Sequence, residues 1–173
     1  ANVTRAQFAQ IMINIMCLKD AAASMTPHGV FTDVKKDAWY AAPVEMGSKM
    51  GAINGYGDGK FGPEDNVTGE QAAKLMIYAT GWDVKAIDRG GYPAGYVAVA
   101  QENDMLLGLE SLDLTQPMKR GQVAILLVNS LKADMLQKVG SGTKVEYVEK
   151  EGVNLLSTKH DVYRFDGVVT QND

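Results

Sequence analysis

The sequence predicts a mainly α fold that ends in a short β-rich segment, and three observations carry that prediction. A capped helical segment occurs three times, and a shorter helical unit precedes its second and third copies. After Leu136 the hydrophobic pattern changes from helical to alternating.

The capped segment is read first at Asn2–Asn14, again at Asn66–Tyr78, and again at Pro117–Asn129. In that register Gln7, Gln71 and Gln122 coincide, as do Ala9, Ala73 and Ala124 and the apolar triplets that begin at Ile11, Leu75 and Leu126. Thr4 and Thr68 are N-cap residues, and the Gln three positions later can return a hydrogen bond to the cap's own N–H. Val3, Val67 and Met118 stand just before the cap, where an apolar residue staples the entering chain onto the first turn. Phe8, Ile11, Met12 and Ile15 recur at helical spacing and form a core-facing stripe. Lys119 replaces the capping Thr in the third copy, so that helix is expected to have the weakest start of the three.

In the shorter unit, Ala42–Gly55 aligns with Gly95–Gly108. Each reads as a short helix ending in an apolar pair and a glycine suited to a left-handed C-terminal position. Gly55 stands 13 positions before Thr68, but Gly108 only 11 before Lys119. The third copy has therefore lost two residues and, with them, the glycine-rich turn. Of the first copy only the terminal helix is present, so the chain is expected to begin inside its first repeat. Met12, Met16, Met46, Met50 and Met76 read as gap-filling core side chains.

Phe31-Thr32-Asp33-Val34, Trp39-Tyr40, the stretch from Ile53 through Gly55-Tyr56-Gly57-Asp58-Gly59 to Phe61 and Pro63, and Val67-Thr68 together resemble an S-layer homology repeat. That family reads F-x-D-V, then W, then G-x-x-x-G-Y-x-D-G-x-F-x-P, then a T-R-A-E-type helix start. Val3-Thr4-Arg5-Ala6-Gln7 matches the last element closely and Lys119-Arg120-Gly121-Gln122 more loosely. The resemblance covers residues 1–136, divided into the end of a first repeat (1–26), a second repeat (27–84) and a third, degenerate one (85–136). It implies a pseudo-threefold arrangement of helical repeats whose grooves bind a peptidoglycan-linked secondary cell-wall polysaccharide, often one bearing a pyruvate ketal. Carried over, it makes Arg5 and Arg120 the anionic anchors, with Gln7 completing the motif. Asp33, Trp39, Gly55, Tyr56, Asp58 and Gly59 would supply groove wall, sugar-stacking surface and close backbone approach. An arginine fork can bond a carboxylate bidentately beside a helix N-terminus, where backbone N–H groups also favour anions. Gly69 stands where the family has Arg, so the second pocket lacks its anchor unless Lys74 compensates. The implied role is non-catalytic anchoring of an extracellular protein at the cell wall or cell surface. The alternative is a structural scaffold of degenerate repeats that pack on one another or self-associate in a surface layer. A third reading, an envelope enzyme, would need a catalytic domain outside this stretch.

The residues weigh other readings independently. Gly57–Gly62 satisfies G-x-G-x-x-G, but a dinucleotide turn follows a buried strand, and here a helix enters and Pro63-Glu64-Asp65 delays the next one. As a calcium loop from Asn54, the stretch puts Tyr56 at the third position, where an oxygen ligand is required. The structural reading is a turn in which Gly57 and Gly59 adopt positive φ, Asp58 bonds its own backbone and Phe61 plugs the core. Trp39 reads as core or as groove wall, and Arg5 as an anchor or as the partner of an acid such as Asp33.

Apolar residues at 46% and charged residues at 22% suit a globular domain, and a net charge of -4 with pI near 5.2 disfavours nucleic acid. The longest apolar run, Val123–Val128, falls far short of the ~20 residues that span a bilayer, so no membrane insertion is expected. Cys17 is the only cysteine, which excludes an internal disulfide and a cysteine zinc cluster; it is expected to be buried and inert. His28 and His160 sit in no metalloprotease pattern and no G-x-S-x-G occurs, so neither an enzyme nor a cofactor or metal is expected. In residues 137–173, Gly140-Ser141-Gly142 reads as a flexible break, Lys144–Glu149 as a strand, and Val162–Val169 as a second strand with a turn at Asp166-Gly167. This tail is expected to open a downstream β-rich domain or to form a hairpin docked on the helices.

Overall fold

The computed structural model describes residues 1–141 and 144–163. Its elements are α1 (Arg5–Ile15), α2 (Lys19–Ala23), α3 (Ala41–Lys49), α4 (Gly69–Ala79), α5 (Asp83–Asp88), α6 (Ala94–Glu102), α7 (Arg120–Lys132), β1 (Asp134–Ser141), β2 (Lys144–Asn154) and α8 (Leu155–Lys159). The fold is mainly α with one two-stranded antiparallel sheet. The three capped segments become α1, α4 and α7. The short α2 and α5, which follow the first two of these directly, were not anticipated by the pattern.

The three segments that enter α1, α4 and α7 lie against one another as a closed cycle of backbone hydrogen bonds. Val3 N donates to Met118 O (3.2 Å), Met118 N to Val67 O (2.9 Å), and Val67 N to Val3 O (2.9 Å). All three side chains are buried at the centre. Around this ring each helix sends its first free N–H to a neighbouring segment: Arg5 N to Asp65 O, Gly69 N to Gln116 O, Arg120 N to Ala1 O. The next N–H of α1 and α4 goes the same way, Ala6 N to Pro63 O and Glu70 N to Leu114 O. Donors that a helix N-terminus leaves orphaned are thus consumed between segments. The apolar stripes of Phe8, Met12, Ile13, Met76, Ile77 and Leu126 meet in one core.

Thr4 and Thr68 form full capping boxes with Gln7 and Gln71. In α7 only half of the device survives. Gln122 Oε1 accepts from Lys119 N at 2.8 Å, but the ammonium of Lys119 has no lone pair to offer in return. The short helices end earlier than expected. After α3 the left-handed residue is Gly51 and Gly55 has no positive φ, whereas Gly108 is left-handed as anticipated. Asp104, which aligns with Gly51, takes the left-handed position after α6.

One buried acid holds the connection between α2 and α3. Glu45, 3% exposed, accepts from His28 N (2.7 Å) and Gly29 N (3.1 Å) on Oε2, while Lys49 Nζ meets Oε1 at 3.0 Å. Burial pushes this carboxyl up, but the Lys49 bond and the two backbone donors outweigh burial and hold it below the usual glutamate value.

The tail differs from its expected layout. β2 does begin at Lys144, but it pairs with β1, from Leu136↔Glu149 to Ser141↔Lys144, with a bulge at Asp134/Leu136. Gly140 is therefore a strand residue with positive φ, not a break. Val162 and Tyr163 carry no strand, and the rest of the expected second strand lies outside the described residues. The base of the hairpin sits on the end of α4, where Leu136 N donates to Thr80 O (3.0 Å) and Trp82 Nε1 to Asp134 O (2.8 Å). α8 buries Leu155 and returns the chain to the end of α1, where Cys17 Sγ donates to Lys159 O (2.9 Å). His160 Nε2 lies 3.0 Å from Ile15 O, so that nitrogen carries the proton. Cys17 is exposed with φ +56°, against the expectation of a buried thiol: it sits one residue past the α1 cap, where the chain reverses.

Two outcomes follow from these contacts. Lys119→Thr restores the missing acceptor at a backbone already extended for a cap, and is expected to raise stability to urea by about 1 kcal/mol. Glu45→Gln removes bonds to an ionised acceptor and is expected to cost about 1.5–3 kcal/mol at pH 7. Because the folded-state value is depressed, this contribution is complete above the unfolded glutamate value and fades as pH falls through the folded one. Urea titrations of both proteins should accordingly converge in acid.

Candidate functional site

Arg5 is the first residue of α1 and is 9% exposed, yet it forms no ion pair among the described residues. The ion pairs among the described residues are Lys49–Glu45 and Arg89–Glu102. Instead Arg5 Nε donates to Phe61 O (2.8 Å) and Nη2 to Asn54 O (3.2 Å). Its guanidinium lies 4.7 Å from the ring centroids of both Tyr56 and Phe61. Asp33 does not meet it. Asp33 Oδ1 and Oδ2 accept from Phe61 N and Gly62 N, each at 2.8 Å, which fixes the turn that presents the Phe61 carbonyl. Burial raises the Asp33 carboxyl, and these two backbone donors outweigh it and hold it low.

The turn gives Arg5 its cage. Asp58 accepts from Lys60 N (3.0 Å), Gly57 and Gly59 take positive φ, and Gly59 O receives Thr32 N (2.9 Å). A Cβ on Gly55 would collide with the Lys60 carbonyl and the Phe31 ring. Tyr56 Oη donates to Asp65 Oδ2 at 2.8 Å; burial, and then that bond, push the phenol up, so it stays a neutral donor.

A groove of about 280 Å³ opens beside this cage, and Asn54, Gly55, Gln71, Lys74, Leu75 and Tyr92 share its lining with Arg5, Tyr56 and Phe61. Lys74 Nζ stands 5.9 Å from the Tyr92 ring. With its amide oxygen turned inward, Asn54 accepts from Lys74 at 3.0 Å. Burial, and then the neighbouring Arg5 charge, lower the Lys74 ammonium from its usual value. Burial likewise lowers Arg5, against the pull of Tyr56 and Asp65. Two half-desolvated cations thus converge on one apolar-walled groove. Two of the five Arg5 N–H groups are taken by backbone carbonyls. The N–H groups of the first turn of α1 offer nothing further, because Arg5 N, Ala6 N and Gln7 N bond Asp65 O, Pro63 O and Thr4 Oγ1.

The residues expected at the site divide in two. Arg5, Gly55 and Tyr56 line the groove, and Asp33, Asp58 and Gly59 build the turn behind it. Gln7 serves the Thr4 cap. Trp39 is 59% exposed, edge-on to Tyr40 at 5.2 Å, and lines neither core nor groove. Arg120 is exposed on α7 and takes no part in the groove. Lys74 does not replace an arginine at position 69; it joins the groove of Arg5. Tyr92 and Phe61 were missed as site residues. Tyr92 was legible only as the partner of Trp39 in the register that aligns Ala42 with Gly95.

At Gly69 the corresponding space is filled by Leu114. A Cβ there would lie 2.7 Å from Leu114 Cδ2 and 2.9 Å from its Cα. Gly69→Ala is therefore expected to destabilise the fold by about 1–3 kcal/mol in urea unfolding, and Gly69→Arg to cost at least as much without opening a second groove.

The family described as S-layer homology domain matches residues 30–73, the stretch that contains Asp33 and the whole Arg5 cage turn. The chain is 26% identical over 145 residues to the middle cell wall protein of Brevibacillus brevis, covering 84% of this chain and 13% of that protein. It is 30% identical over 138 residues to a cell surface protein of Thermoanaerobacter kivui, covering 79% and 17%. Over 78 residues it is 37% identical to an amylopullulanase of Thermoanaerobacterium thermosulfurigenes, covering 44% and 4%. The chain thus spans less than a fifth of the length of each of these relatives.

Proposed function

We propose, for a chain that carries an S-layer homology domain and is similar to cell-wall and cell-surface proteins, that it is a non-catalytic module anchoring its parent protein at the cell wall. It acts there by holding an acidic secondary cell-wall polysaccharide in the Arg5 groove. We read the architecture as a pseudo-threefold set of helical repeats over residues 1–136, a reading supported by the closed cycle through Val3, Val67 and Met118. That sequence similarity joins this chain to surface proteins and also to an amylopullulanase suits a module shared among proteins of different tasks.

The observation that carries the ligand reading is the state of Arg5. Its Nε side is occupied by two carbonyls and two aromatic rings lie 4.7 Å from its guanidinium, while no carboxylate among the described residues pairs with it. An arginine held this way keeps its outer edge for a planar oxyanion, and a ligand carboxylate would take the two N–H groups there. Lys74 would add a point charge on the other wall, and Tyr56 and Tyr92 offer apolar faces to a sugar ring or a ketal methyl. One working groove is expected, since Leu114 fills the space at Gly69.

The test is co-sedimentation with purified Gram-positive cell walls before and after acid extraction of their secondary polysaccharide. Binding should be lost on extraction and weakened by salt. Arg5→Ala and Arg5→Lys should each lower affinity by about tenfold or more, the loss of one to two charged hydrogen bonds. Arg120→Ala should leave it unchanged. Undiminished binding by Arg5→Ala would overturn the assignment and leave the repeats a packing and self-assembly role.

A further inference from the structure

The Arg5 groove holds more positive charge than one carboxylate can neutralise. Arg5 and Lys74 both line it, and among the described residues no aspartate or glutamate lines it with them. Neither cation joins an ion pair among those residues. The acids whose charge reaches Arg5 are bonded elsewhere: Asp65 accepts from the Tyr56 hydroxyl, and Asp33 from the N–H groups of Phe61 and Gly62. Two positive charges thus share one groove in a chain whose net charge is -4.

The second cation is particular to this groove. In the register of the capped helices, the place of Lys74 is taken by Gln10 in α1 and by Ile125 in α7. Gln10 turns to Asn14 of its own helix, whereas Lys74 reaches across to Asn54. Asn54 ties the two cations together: its backbone carbonyl takes Arg5 Nη2 (3.2 Å), and its inward amide oxygen takes Lys74 Nζ (3.0 Å). That bond uses one of three ammonium donors. Burial disfavours both charges, and the Arg5 charge disfavours that of Lys74 further. A ligand with one acidic group relieves one cation and leaves the other half-buried and uncompensated. The planar fork of Arg5 suits a carboxylate, and the compact ammonium meets a phosphate oxygen as a point charge. We propose that the groove selects a doubly acidic saccharide, with a carboxylate on Arg5 and a phosphate of the same or the adjacent sugar on Lys74. The inference rests on the reading of the groove as a polysaccharide site and adds what that ligand must carry.

Calorimetric titration with three methyl glycosides of a pyruvate-ketal hexosamine tests this. One probe carries the ketal carboxylate alone, and the others add a phosphate monoester, either on the same ring or on a second sugar. At least one phosphorylated probe should bind about tenfold tighter than the plain ketal, the worth of one charged hydrogen bond. Its affinity should also fall more steeply as salt is raised. Lys74→Met keeps the apolar stem and removes the charge. It should abolish the tenfold gain and leave affinity for the plain ketal within about twofold, and Lys74→Arg should restore the gain. Where Lys74→Met lowers the thermal midpoint, Lys74→Gln is read in its place. Arg5→Lys should weaken all three probes. Equal binding of the plain and phosphorylated probes would overturn the proposal and leave the Arg5 reading standing. So would an equal loss for every probe in Lys74→Met, which would make Lys74 a positioning residue for Asn54. Failure of every probe to bind the unaltered protein would remove the groove reading and this inference with it.

Discussion

Everything else in the molecule hangs on three backbone hydrogen bonds that close a cycle through Val3, Val67 and Met118. They join residues far apart in sequence, and they set the start of α1, α4 and α7 at one centre. The cycle also decides the chemistry of the site. Helix N-termini commonly bind anions because their first donors are unsatisfied, but here those donors are spent on neighbouring segments. Any anion recognition in this groove would therefore have to come from side chains, foremost the well-held Arg5.

The cage around Arg5 shows how a buried cation can be kept without an acid. Desolvation disfavours the charged form, and a carboxylate partner would be the common remedy. Such a partner would also compete with an anionic ligand. Two carbonyls and two aromatic faces stabilise the guanidinium while leaving it electrostatically unsatisfied. Asp33 holds the turn that presents the Phe61 carbonyl, without touching the cation. Tyr56 is fixed in turn by Asp65, whose own carbonyl receives the first N–H of α1. Turn, ring and cage share residues, so none can shift alone.

Much of this was legible in the sequence because the relevant signals are local. Thr4, Thr68 and their glutamines cap as read, the helical stripes face the core, and the absent cap at Lys119 left a half-made box. The errors arise where a local pattern has more than one tertiary solution. Gly51 and Gly55 are both glycines after one helix, and only packing against Phe31 and Lys60 determines which role each takes. Trp39 carries the pattern of a groove wall, yet it is its register partner Tyr92, one repeat further on, that joins Tyr56 and Phe61 in the formed groove. Lys74 and Arg5 are 69 residues apart from neither motif nor period that would join them; the cycle of segments does so. In the tail, Gly140 looked like a break because strand pairing with Val145 is invisible to composition.

The latch at the end of α1 has a mechanical meaning. Arg5 is at the N-terminal end of that helix, and His160 and Cys17 hold the departing chain at its C-terminal end. Tension between a wall-bound groove and whatever follows residue 163 would therefore run along the axis of α1, borne by a ladder of parallel hydrogen bonds. The hairpin and α7, though nearer in sequence to the exit, would be bypassed while the latch holds. In a tether anchored at Arg5, shear would pass through the helix that carries that arginine and spare the seams between the entering segments.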